Sequence, residues 1–117
     1  MIKEVLRTID YNGKKYTMAF NLNSMAEIQK KYGSIGTWGE LVNAKNPEGV
    51  DIVALRYGLM CMLNEGIDID NEKNGTNEPF LNERQAGRII MGFSAERTAE
   101  TMNDLVVESV KTAPKNT

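Results

Sequence analysis

The stretch YNGKKYTMAFNLNSMAEIQKKYG, Tyr11 to Gly33, packs a turn, an alternating strand, a helix start and a helix stop into a short span. Asn12-Gly13 is the strongest local signal, because a two-residue type I′ turn needs positive φ at both positions. Such a turn fixes register, so Tyr11 faces Lys14, Ile9 faces Tyr16, Arg7 faces Met18 and Val5 faces Phe20. Tyr16, Met18, Phe20 and Leu22 then share one face of the second strand, and Ile9 and Val5 join them from the first. Arg7 is the misfit on that face, with its stem across the apolar surface and its charge in water.

Beyond the hairpin the period changes to that of helices. Asn23 or Ser24 is the expected cap, with Ser24 and Glu27 as a capping box. Met25, Ile28 and Tyr32 follow at helical spacing, and Gly33 supplies the stop. Thr37 is the expected cap of a short helix, WGELVNA, which ends at KNPEG. Asp51 opens the helix IVALRYGLMCMLN, apolar almost all round and therefore central, with Gly66 as its end. The polar run IDIDNEKNGTNEP reads as an exposed loop. Asn82 with Gln85 opens a helix whose Ala86, Ile89, Ile90 and Phe93 repeat at one face. Ser94 opens the last helix, with Ala95, Ala99, Met102, Leu105, Val106 and Val110 as its stripe.

The expected fold is therefore α+β and mostly helical. An N-terminal antiparallel hairpin (2–21) packs on four to five helices at about 24–32, 37–44, 51–64, 82–92 and 95–111. Residues 1–112 form a single domain, and 113–117 form a disordered tail. A length of 117 residues suits one domain with its own core.

Composition excludes several function classes. A net charge of −2 gives no electrostatic case for nucleic acid or an anionic membrane. MIKEVLRTID is charged throughout and lacks a signal-peptide core, and no apolar run approaches about 18 residues. One cysteine precludes an internal disulfide. There is no histidine, which removes the commonest general base and metal ligand. Cys61 lies in GLMCML, where a small core residue is expected rather than a nucleophile.

Other motifs dissolve on inspection. DNEKNGTNE offers Asp70, Glu72, Asn74 and Gly75 at calcium-loop spacing, but Leu81 stands where the bidentate acid belongs. GSIGTWG, residues 33–39, follows a helix and lacks the lysine of a phosphate loop. The turn near Phe93-Ser94 suggests a helix-turn-helix, yet Glu96, Glu100 and Asp104 would repel phosphates. Most of the seven methionines fall on inward stripes. Trp38, beside a glycine-rich turn, is either core or a partly exposed contact for another protein.

The run YNGKKY (Tyr11–Tyr16), TMAF (Thr17–Phe20) and NLNSMAEIQKKYG (Asn21–Gly33), followed by the apolar helix VDIVALRYGLMCMLNEG, resembles phage tail assembly chaperones. The resemblance covers residues 2–66 and is architectural afterwards, and the polar stretch from Asp70 to Pro79 departs from it. It implies a non-enzymatic protein of the host bacterial cytoplasm, without cofactors or metal. Such a protein binds the tape measure protein and keeps it soluble during tail tube assembly. The tail tube protein is a second candidate partner, and homo-oligomerisation is compatible. The alternative is a structural tail component, such as a tail terminator or connector subunit. An apolar contact is expected, with Trp38, Phe80 and Val107 as its anchors.

Overall fold

The computed structural model describes residues 6–112, with side chains except at 96 and 109–112. The element order is β1 (Leu6–Tyr11), β2 (Lys14–Ala19), α1 (Leu22–Tyr32), α2 (Ile35–Leu41), α3 (Ile52–Asn74), α4 (Glu83–Phe93) and α5 (Ala95–Thr112). This is the mostly helical α+β fold expected, an antiparallel hairpin followed by five helices. No helix among the described residues is long and apolar enough to cross a membrane.

The hairpin turns at Asn12 (φ 51°) and Gly13 (φ 76°), both in the left-handed region that a type I′ turn needs. Its register pairs Tyr11 with Lys14, Ile9 with Tyr16 and Arg7 with Met18. The Val5–Phe20 pair, the hairpin's residues 2–5, the Val110 side chain and the tail 113–117 lie outside the described residues. Ile9, Met18 and Phe20 are buried together in the core, and Tyr16 is packed at its edge. Arg7 reaches α5, where its guanidinium pairs with Glu108. Leu22 does not join that face. It is 69% exposed, because the chain has already turned into α1.

α1 begins two residues earlier than expected. Asn21 is its cap and Ser24 the third residue of the box: Asn21 Oδ1 accepts from the Ser24 N–H, and Ser24 Oγ accepts from the Asn21 N–H. Glu27 takes no part in it. α2 is likewise capped by Ser34, whose Oγ accepts from the Thr37 N–H, rather than by Thr37. α2 ends at Leu41, short of the expected residue 44. Asn82 and Gln85 form the reciprocal box expected at the start of α4.

The largest departure is α3, which runs to Asn74 and not to Asn64. Gly66 does not stop it. Gly66 is buried in mid-helix, where β2 crosses so closely that a Cβ would overlap the Thr17 carbonyl oxygen and lie 2.6 Å from its carbon. The stop is Gly75, whose φ of 65° is left-handed and whose N–H donates to the Asn71 carbonyl. Residues 67–74, expected as loop, therefore form the last two turns of the helix, and Thr17 Oγ1 donates to Asp70 Oδ2 there.

A second glycine on α3 receives α2. The Trp38 ring lies on Gly58, where a Cβ would stand 2.7 Å from Cε2 and 2.8 Å from Nε1. Trp38 Nε1 donates to the Ala54 carbonyl at 2.9 Å, so the indole is both packed and hydrogen-bonded. Leu55, Leu59, Met62 and Leu63 fill the space between these contacts. α4 and α5 close the core with Ala86, Ile89, Ile90, Ala99, Met102 and Leu105.

Two glycine substitutions should separate close approach from ordinary helix propensity. Gly66→Ala is expected to cost about 3 kcal/mol, because backbone has to move to admit the methyl. Gly39→Ala, on a helical position with open space around it, is expected to stabilise by about 0.5–1 kcal/mol. Urea unfolding midpoints of the two variants check both signs.

Candidate functional site

One stripe of α3 is left uncovered by the hairpin and by α4. Tyr57, Met60, Cys61, Asn64 and Asp68 recur along it at helical spacing. With Asn23, Ala26 and Glu27 of α1 they line an open groove of about 390 Å³. Its floor is Ala26, Tyr57, Met60 and Cys61, and Phe80 stands at its edge. Its carboxylates are Glu27 on one wall and Glu65 and Asp68 on the other. Glu65 accepts from the neutral amides of Asn21 and Asn23, so its charge is hydrogen-bonded without being neutralised. At one end the Lys31 ammonium lies 4.3 Å from the Tyr57 ring centre.

Phe80 is held at this edge by a strap. The Asn64 amide accepts from the Leu81 N–H at 2.7 Å and donates to the Leu81 carbonyl at 3.0 Å. Two turns further on, the Asn71 amide accepts from the Glu78 N–H at 2.9 Å and donates to its carbonyl at 3.0 Å. The chain from Glu78 to Leu81 is thus pinned along α3 at both ends, with Phe80 between the clamps and 58% exposed. Lys14 of the hairpin adds a 3.2 Å ion pair to Glu78.

Of the three expected anchors, Trp38 is corrected: at 1% exposure it belongs to the core, because Gly58 makes room for its ring. Phe80 stands at the groove, and Val107, 46% exposed, lies on α5 and outside it. The structure therefore does not bring the three together. Sequence reading missed the groove residues Ala26, Met60, Glu65 and Asp68. Tyr57, Met60, Cys61 and Asn64 lie at helical spacing within the expected helix, and Asp68 joins them only in a helix taken past Gly66. Met91, at 84% exposure, departs from the inward packing of most methionines.

Cys61 is buried, and desolvation pushes its thiol up from 9.0 to about 11, opposed by a hydrogen bond with Tyr57 and by Lys31. Burial and the neighbouring Cys61 likewise push the Tyr57 hydroxyl up to about 12. The calcium-spaced residues Asp70, Glu72 and Asn74 sit on a helix, not a loop, and so cannot wrap an ion. No group of three or more potential ligands among His, Cys, Asp and Glu is gathered to hold a metal among the described residues.

Comparison of this chain with protein-family models, with curated proteins and with solved structures finds no match.

Two outcomes are expected. Asn64→Ala leaves the Leu81 N–H and C=O without their partners and should cost about 2 kcal/mol in chemical denaturation. Cys61 should react with a thiol reagent at pH 8 roughly a hundredfold more slowly in the native than in the unfolded protein, because so little of it is thiolate. The same shift makes folding stability depend on pH. The folded value is raised, so its contribution is complete below pH 9.0 and is lost as pH rises through about 11. A denaturation series from pH 8 to 11 reads that fall.

Proposed function

We propose that this protein is a phage or prophage tail assembly chaperone that binds the tape measure protein and keeps it soluble while the tail tube assembles. Support comes first from the stretch Tyr11–Gly33, whose residues resemble that family and which forms the hairpin turn, β2 and α1. Its apolar continuation is the helix on which the hairpin is seated.

The physical requirements agree with such a role. A tape measure protein is long and helical, and its apolar stripes are exposed until the tube surrounds it. Holding such a chain takes an apolar surface that accepts a helix face and releases it, with no chemical step. The groove between α1 and α3 offers that surface, and the exposed Phe80 gives it an aromatic anchor. The role is non-enzymatic and belongs to the host bacterial cytoplasm, with the tape measure protein as principal partner and the tail tube protein as a second.

Co-expression with the tape measure protein encoded nearby is the test. The tape measure protein should move from the pellet to the soluble fraction and co-purify with this chain. Equal solubility with and without it, and no complex, would sink the proposal. Stoichiometric amounts of this chain in mature particles would instead assign it to the tail structure.

A further inference from the structure

We infer that the groove between α1 and α3 is a binding site for an amphipathic helix whose apolar stripe is edged by lysine or arginine. This deepens the chaperone proposal and rests on it for the helical nature of the partner. The charge requirement comes from the groove alone.

The shape of the site sets the length of its occupant. From Tyr57 to Asp68 the stripe on α3 extends about 16 Å, which is about three turns of a docked helix. Ala26 from α1 and Met60 from α3 supply apolar contact, and methionine adapts to varied side chains. Phe80 projects at the rim on a strap whose backbone is already hydrogen-bonded to Asn64 and Asn71. Its exposed ring is therefore positioned before binding, which reduces the ordering cost of contact.

Charge sets the sign of the occupant. Glu27 faces the groove from α1, and Glu65 and Asp68 face it from α3. Neither Glu27 nor Asp68 takes part in any ion pair found among the described residues. Lys31 is engaged over the Tyr57 ring at one end. A helix seated on the floor would place its flanking positions beside carboxylates on both walls. Basic flanks gain attraction there, and acidic flanks meet repulsion. The chain's overall charge of −2 understates this local field, because the acids converge on one surface.

The test uses the full-length protein and two peptides of about 15 residues, long enough to form a helix on binding. Both carry leucine at i, i+3, i+4, i+7 and i+11; one has lysine at the flanking positions and the other glutamate. Binding is followed by NMR chemical shifts and by protection of Cys61 from a thiol reagent. The lysine peptide should bind, shift Ala26, Met60 and Asp68, and slow labelling of Cys61. Its affinity should drop about thirtyfold in Phe80→Ala. It should drop about tenfold in the double variant Glu27→Lys/Asp68→Lys, and weaken with added salt in the wild type. All three substitutions are at exposed positions, and circular dichroism verifies that the variants fold. Equal binding of both peptides, shifts centred elsewhere, or self-association through the groove that the double variant abolishes would each overturn the inference. The two proposals fail separately. If a variant combining Phe80→Ala, Glu27→Lys and Asp68→Lys still holds the tape measure protein in solution, the groove assignment is wrong and the chaperone role stands. If the wild type binds the lysine peptide here but never retains the tape measure protein, the reverse holds.

Discussion

Helix α3 and strand β2 meet backbone to backbone at Gly66 and Thr17, and the rest of the molecule is arranged around that approach. Without a side chain at Gly66 the hairpin can lie flat on the helix, and Ile9, Met18 and Phe20 then reach the same core as Leu59, Met62 and Leu63. A hairpin of two strands is marginal alone, so its stability is borrowed from this seating. Two turns earlier, Gly58 accepts the Trp38 indole and fixes α2. Asn64 and Asn71 then hold the strap that leads into α4. One helix thus serves several neighbours on different faces, which explains why its first half, from Ile52 to Leu63, is apolar almost all round.

What local sequence could reveal follows from how local each determinant is. The hairpin register was legible because Asn12-Gly13 decides it within two residues. The start of α4 was legible because Asn82 and Gln85 satisfy each other across one turn. Gly66 misled because a packing glycine and a stop glycine look alike without the partner strand, which lies far back in the chain. Extending the alternation of β2 to Leu22 failed for a related reason: Asn21 caps α1 and breaks the period first. Trp38 could not be placed from its own surroundings, since its burial depends on Gly58 in a different helix.

The candidate site was less legible than the fold. Phe80 stood out as an aromatic residue in a polar run, but its position depends on amides from Asn64 and Asn71 that no local pattern announces. The groove joins residues of α1 and α3 that are remote in sequence, and it needs α3 to continue past Gly66 to carry its acidic end. The proposed role draws on the resemblance for its partner and on the groove for its physical means. In that proposal an apolar floor would supply affinity, and the surrounding carboxylates would supply selection between helices.

The central physical claim is that α3 is one continuous helix from Ile52 to Asn74 with the hairpin seated at Gly66. Native-state hydrogen exchange along α3 tests it most directly. Amides from Leu59 through Asp70 should exchange together with those of the β1–β2 pairing, at a free energy close to global unfolding. Protection that ends at Gly66, with residues 67–74 exchanging as freely as a loop, would contradict it.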